Sequence, residues 1–318
     1  MKVGNAVKYV GITGGAGFIG TYVVEELQRK GYTPVIFDRQ DKHQKIEGVE
    51  FFLGDCNNPV DMTEFAAHID AMIHLAAVLG TQETVFNPIP AARNNLLGGL
   101  NFLESVTQYK LPAVYIAVGN WFMNNPYSIT KNMIERFTHM YNKERGASVN
   151  IVRAVNAYGP RQLSAVPFAN GKVRKITPAL INRALSGKPM ELYGGGVQVS
   201  DMVFVGDVAK ALVLALEKAE QGIIFDHAIE VGSPTEQTIV SVAEKVNEII
   251  QEFGYPAVPI EEIPMRPGEM TGVKVRADVS TLADIDFDVK DLVSLDDGIR
   301  RTVKYFIDSE GKAWNKQP

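Results

Sequence analysis

A chain of 318 residues, 46% hydrophobic and 22% charged, can bury a large core and is long enough for one large domain or two modest ones. Its formal net charge of −5 speaks against a dedicated nucleic-acid surface or a binder of anionic membranes, and its single cysteine, Cys56, excludes an intramolecular disulfide or a multi-cysteine metal site. No apolar run is long enough to span a bilayer, and Met1–Asn5 leads into the first strand without a signal-peptide core, so a cytoplasmic protein without a metal centre is expected.

Short β-branched runs at residues 7–13, 33–38, 49–53, 71–75, 113–118 and 149–155 alternate with helical patterns at 18–30, 60–67, 92–109 and 127–143. That alternation predicts an α/β fold with a doubly wound parallel sheet and a ligand at the carboxyl ends of its strands. Beyond Asn156 the pattern is less regular. A helix is expected at 178–185, a strand at 190–193, a glycine turn at 194–196, a helix at 207–218, a strand at 223–231, and a helix at 238–252 closed by Gly254.

Three features along this frame carry chemistry. The first strand runs into Thr13-Gly14-Gly15-Ala16-Gly17-Phe18-Ile19-Gly20, where close glycines let the backbone approach a pyrophosphate and a helix start aims free N–H groups at it. The second strand ends at Asp38, about 20 residues further on, where a carboxylate accepts hydrogen bonds from ribose hydroxyls and repels a 2′-phosphate. This favours NAD, while Arg39 beside it keeps NADP open. Tyr127 and Lys131, four positions apart on a helical pattern, share one face, and an ammonium there stabilises phenolate and prepares a general base.

Further stretches stand in order with these: Gly54-Asp55, His74-Leu75-Ala76-Ala77, Asn95-Leu96-Leu97-Gly98-Gly99, Arg153-Ala154-Val155-Asn156-Ala157-Tyr158-Gly159-Pro160-Arg161-Gln162 and Arg266-Pro267-Gly268-Glu269. The ordered set resembles the extended short-chain dehydrogenase/reductases over nearly the whole chain, in particular the NAD-dependent nucleotide-sugar epimerase/dehydratase family and its UDP-glucose 4-epimerase-like members. The resemblance implies a doubly wound parallel Rossmann sheet in residues 1–155, with 207–231 returning to it. A smaller, interleaved C-terminal substrate domain would take 156–206 and 232–318.

On the same resemblance, Tyr127 removes a proton from a sugar hydroxyl while the carbon beneath gives hydride to the nicotinamide, and Lys131 holds the nicotinamide ribose and lowers the tyrosine pKa. The turn Gly14, Gly15, Ala16, Gly17, Phe18, Ile19 and Gly20 takes the pyrophosphate; Asp38 and Arg39 meet the ribose. Asp55 and the Cys56 backbone meet the adenine, with Cys56 a small residue and not a nucleophile, and Leu75, Ala76 and Ala77 line the phosphates and nearby ribose. Asn95 is either a cofactor-side hydrogen-bonding residue or a capping or solvent-facing amide. Asn156, Arg161, Lys175 and Arg266 are the implied sugar-nucleotide contacts, the last two at the diphosphate. A homodimer is implied through the helices carrying Leu96, Leu100 and Leu103, and Ile134, Phe137 and Tyr141.

The chain departs from the family pattern in three places. Gly119 stands where a strand-end serine or threonine polarises the reacting oxygen, so that role falls to Asn120 or Thr81 or is unfilled, and Gly119→Ser is expected to leave activity unchanged or to improve it where a substrate oxygen sits nearby, unless Asn120 or Trp121 already fills that space. Asn120-Trp121 replaces the Asp-Glu pair of the 4,6-dehydratases, which disfavours dehydration and favours 4-epimerisation. Ser200 replaces a phosphate-binding arginine, for which Lys172 and Arg174 are candidate substitutes. Two other readings stay open: another NAD(P)-dependent carbonyl or alcohol oxidoreductase, and a weakly catalytic, cofactor-bound sensor.

Overall fold

The computed structural model describes residues 9–39, 49–162, 175–270 and 272–310. Its centre is a seven-stranded, all-parallel sheet built from β1 (Tyr9–Thr13), β2 (Thr33–Asp38), β3 (Glu50–Leu53), β4 (Ala71–His74), β5 (Pro112–Val118), β6 (Ser148–Ala154) and, much later in the chain, β11 (Ile229–Val231). The order across the sheet is β11-β6-β5-β4-β1-β2-β3, so the winding reverses between β1 and β4. At that reversal Thr13 is in register with Phe37 on one side and His74 on the other. Open parallel sheets place a ligand crevice there, beyond the carboxyl ends of the strands.

Strands β1, β2, β4 and β5 are nearly continuous apolar runs because both sheet faces are covered. On one face α1 (Phe18–Arg29) buries Val23, Val24 and Leu27 beside Val208, Leu212 and Leu216 of α8 (Val205–Glu220). On the other, α2 (Pro59–Ala66), α5 (Gly98–Tyr109) and α6 (Pro126–Arg145) contribute Phe65, Phe102, Leu103 and Ile134. Between β4 and α5 lie two short helices, α3 (Thr81–Phe86) and α4 (Pro88–Ala91), and a π-helical stretch, Ala92–Leu97, that runs directly into α5.

A separate core joins Leu180 and Ile181 of α7 (Ile176–Leu185) to Val242, Val246 and Ile249 of α9 (Ile239–Glu252) and to Ile299, Val303 and Phe306 of α10 (Leu295–Glu310). Around it run short parallel pairs: β7 (Ala157–Tyr158) with β10 (Val203–Phe204), β8 (Met190–Tyr193) with β12 (Ile260–Ile263), and β9 (Val199–Ser200) with β13 (Lys274–Val275). A reciprocal pair of side-chain bonds between Thr238 and Ser241 starts α9, satisfying two otherwise orphaned N–H groups. Among the described residues no helix is long and apolar enough to cross a membrane.

One strand is shorter than the apolar pattern predicts. Of residues 223–231, only Ile229–Val231 pairs with β6. The buried Asn150 donates to Ile223 O and accepts from Phe225 N, so these backbone groups bind a side chain instead of a neighbouring strand. The last helix and β12 carry no counterpart among the expected elements.

Candidate active site

The glycine turn sits where the winding reverses. Gly14 has φ +71°, donates its N–H to Phe37 O at 2.8 Å, and lies so close to β4's end that a Cβ there would stand 2.9 Å from Ala76 N. Gly17 N closes the turn on Gly14 O, and a Cβ at Gly20 would press into the Gly14 and Gly15 carbonyls. Gly17 also caps α1 without a side-chain hydrogen bond, and no acidic residue stands in the first turn, so the helix start presents uncapped N–H groups. This donor set fits a dinucleotide pyrophosphate. Phe18 and Ile19 open the helix; Gly15 and Ala16 form the turn before it.

Asp38 ends β2 beside this turn, and its carbonyl accepts from Gly54 N. Arg39 reaches Asn94 Oδ1 at 3.3 Å and stands 4.0 Å from Asp55, which folds one carboxylate oxygen back onto Asn57. Burial pushes the Cys56 thiol up to about 12, which disfavours the thiolate; its carbonyl accepts from Asn101. Leu75, Ala76 and Ala77 leave the end of β4 held by Thr13. Leu75 N donates to Thr13 O and Ala76 N to Thr13 Oγ1, while that hydroxyl also meets His74 Nδ1 at 2.8 Å. Burial depresses the His74 imidazole to about 3, which keeps it neutral.

Asn95 corrects an expectation. It is neither turned to a cofactor nor a cap nor exposed: from the π-helical stretch its Oδ1 accepts from Val78 N at 2.7 Å, and its two N–H donors go to Val78 O and Thr130 Oγ1. With both donors used inside the protein, its role is to hold the loop after β4. A π-helical turn at a functional site is a recurrent arrangement, but nothing in the Asn94-Asn95 spacing signals it.

Tyr127 and Lys131 lie one turn apart at the start of α6, beyond the end of β5. Asn125 caps the helix through Ser128 N at 2.9 Å and Pro126 opens it. Lys131 is 2% exposed, its Nζ 4.2 Å from the centre of the Tyr115 ring, and the Tyr115 hydroxyl donates to the Lys131 carbonyl. The expected lowering of the Tyr127 pKa by Lys131 is not what this state of the protein shows. Burial lifts the phenol to about 12 and drops the ammonium to about 7, against the pull of Glu135. Desolvation disfavours both charged forms, the phenolate and the ammonium alike.

Nor is Gly119 a vacant place for a hydroxyl. A Cβ built there overlaps Val155 Cγ2, with Val155 Cβ at 3.1 Å, and Val155 is itself 2% exposed. Of the two candidate substitutes, Asn120 spends its carbonyl on Ser128 Oγ at 3.3 Å and an N–H on Met123 Sδ. Thr81 starts α3 against the 266–269 loop, where a Cβ on Gly268 would lie 3.2 Å from its methyl.

The expected substrate contacts divide. Arg161 turns to α1, where it pairs bidentately with Glu25 and stacks 3.9 Å over the Tyr22 ring, an inter-element strut in place of the expected substrate contact. Asn156, at φ +40°, donates to Ser200 Oγ and to Asp201 O, so the serine in the arginine position is tied to its neighbour. Lys175 and Arg266 do come together, with Glu83 acting on both; burial lowers the Lys175 pKa. Arg266 pairs with Glu269, stacks over Tyr193 at 5.3 Å and keeps a buried Nε–H without a partner, as Glu83 keeps a buried Oε2. Glu83 and Tyr193 carried no recognisable motif. Lys172 and Arg174 lie outside the described residues.

Residues 10–232 match the model of the NAD dependent epimerase/dehydratase family. The chain belongs to that family. It is 27% identical to a UDP-N-acetyl-alpha-D-glucosaminuronate decarboxylase of Bacillus cytotoxicus, over 94% of this chain and 98% of that protein. It is 24% identical to a dTDP-glucose 4,6-dehydratase of Neisseria gonorrhoeae, over 97% and 98% respectively. Among solved structures, the UDP-glucose 4-epimerase of Thermus thermophilus, crystallised with NAD, superposes with a TM-score of 0.81 at 28% identity, covering 95% of this chain and 99% of that one. The family is thus an NAD-dependent enzyme family whose members differ in the reaction they run.

Proposed function

We propose that this chain is an NAD-dependent nucleotide-sugar 4-epimerase that acts by transient oxidation at the sugar C4, with a UDP-linked sugar as substrate. The observation that carries the reading is the contrast beyond β5: Tyr127 and Lys131 share one face of α6, whereas Asn120 and Trp121 occupy the strand-end positions and neither is a carboxylic acid. Elimination of water or a second proton transfer needs another acid and base; epimerisation needs only one group that takes the hydroxyl proton and returns it. When bound, NAD supplies reversible hydride transfer at that carbon. Tyr127 takes and returns the proton, and Lys131 orients the phenol and the nicotinamide ribose.

Asp38 selects NAD, and Lys175 and Arg266 take the diphosphate, within a substrate-binding part formed by residues 156–206 and 232–318. The chain pairs with a second copy of itself, though not through the residues singled out from sequence: Leu103, Ile134 and Tyr141 are buried within the monomer and Leu96, Leu100 and Phe137 pack on the same core. The apolar stripe facing outward on α6 is Ile129, Met133 and Met140. A monomeric mass in light scattering at micromolar concentration would remove the dimer from this reading.

The test is to incubate the protein with UDP-glucose, UDP-N-acetylglucosamine and UDP-glucuronate and follow C4 by NMR. Inversion of one of them without accumulation of NADH supports the epimerase. A second reading, another NAD(P)-dependent carbonyl or alcohol oxidoreductase, draws on the engagement of Ser200 by Asn156 and of Arg161 by Glu25, which thins the phosphate-binding side. Stoichiometric NADH formation would favour it.

A further inference from the structure

Behind the Tyr127/Lys131 pair runs a row of alternating charges. Lys131 and Glu135 are four residues apart on α6, close enough for their side chains to interact. Glu135 is 4% exposed, and Arg153 of β6 grips both its oxygens, with Nε to Oε2 at 3.0 Å and a terminal nitrogen to Oε1. Arg153 is held in turn by Glu230 of β11 at 2.7 Å and lies 5.1 Å over the Trp121 ring. The Glu230 carboxylate also accepts the Asp278 N–H at 2.7 Å, and its backbone N–H donates to the Thr281 hydroxyl.

The groups around Lys131 are few. Tyr127 and Glu135 stand on its own helix, Tyr115 on β5, and His74, kept neutral by burial, on β4; Arg153 and Glu230 stand behind Glu135. A buried ammonium without a counter-charge sheds its proton. Among these described neighbours Glu135 is the carboxylate whose charge acts on Lys131. A carboxylate this deeply buried is itself tolerated only because Arg153 satisfies it.

We propose that Glu135, clamped from behind by Arg153, is a positioning residue of the active site: its charge opposes the loss of the proton that burial imposes on Lys131 beside Tyr127. The inference rests on the reading of Tyr127 and Lys131 as the reacting pair, but not on which sugar they act upon. Arg153 then tunes the site at one remove, since it offsets part of the Glu135 charge that reaches Lys131.

The experiment is a pH titration of the Lys131 13Cε signal in the full chain labelled at lysine, with and without saturating NAD, the signal assigned by its loss in Lys131→Met. In Glu135→Gln the midpoint falls by about one pH unit or more, a tenfold loss of proton affinity. In Arg153→Gln it rises, because Glu135 loses its neutralising partner. The alkaline limb of the turnover profile moves in the same two directions. A purely structural ion pair predicts no such opposed movements: an unchanged midpoint in folded Glu135→Gln, or a fall in both variants, overturns the proposal. Should Glu135→Gln not fold, the direction in Arg153→Gln decides alone. Since the titration needs no substrate, failure of the epimerase assay leaves its result standing, and a null titration leaves the epimerase reading standing.

Discussion

Val155 fills the space beside Gly119 in which any side chain at position 119 would have to begin. The two residues follow the ends of the adjacent strands β5 and β6, and the missing strand-end hydroxyl is therefore matched by a bulky neighbour. Gly119→Ala is expected to destabilise the protein by about 1–3 kcal/mol through overpacking, and Gly119→Ser by a similar amount without gain of activity. Val155→Ala, combined with either, should recover most of the loss. Urea denaturation of the single and double variants measures this; additive losses would show that the two positions do not compete for one space.

On the proposed reading, cofactor choice follows from Asp38 at the end of β2. A carboxylate there disfavours a 2′-phosphate, so calorimetric titration should find NAD bound at least about tenfold more tightly than NADP. Asp38→Asn should narrow the difference mainly by improving NADP binding. Equal affinities in the wild type would transfer the decision to Arg39, which stands next to it with more than half of its side chain exposed.

Arg161 makes its contacts with Glu25 and Tyr22, so Arg161→Met should cost stability and spare substrate binding. The pair is partly exposed, and the loss is expected to stay near 1 kcal/mol or below. The KM for a nucleotide sugar should change less than about twofold, well under the tenfold that 1.4 kcal/mol of lost contact would bring. A tenfold rise in KM at unchanged stability would restore Arg161 to the substrate.

How far the chain could be read in advance is itself a matter of which forces were local. Strands buried on both faces, such as β4 and β5, announce themselves as apolar runs, and Tyr127 and Lys131 announce a shared helix face by spacing alone. Residues 223–228 mislead because the apolar Ile-Ile-Phe stretch looks like a strand while Asn150, 73 positions earlier, claims its backbone. The partner of Arg161 stands 136 positions away, and no pattern near either residue connects them. The helix Leu295–Glu310 was readable: Ile299, Val303 and Phe306 fall at helical spacing, diluted by many charged residues.

A pH dependence follows from Asp207, which lies buried on α8 and accepts the Val293 N–H at 2.9 Å. Burial raises its carboxyl from the ordinary 3.8 to about 6. The folded protein therefore binds the extra proton in that window while the unfolded chain does not, so this contribution is fully present below the ordinary carboxylate value and is lost as pH rises through about 6. Asp207→Asn keeps an acceptor for Val293 and removes the titration. Its stability should vary less than that of the wild type between pH 4 and 6 in denaturant titrations; parallel curves would show that Asp207 does not titrate there.

The central claim is that Tyr127 moves the proton in an inversion at the sugar C4. The most direct measurement compares wild type and Tyr127→Phe for C4 inversion of UDP-sugars by NMR, with NAD binding measured on the same samples. The ring and its packing survive this change, so NAD affinity should hold while turnover falls by about 100-fold or more. Equal inversion rates in the two proteins would contradict the mechanism, and absence of inversion by the wild type on every UDP-sugar would contradict the epimerase assignment.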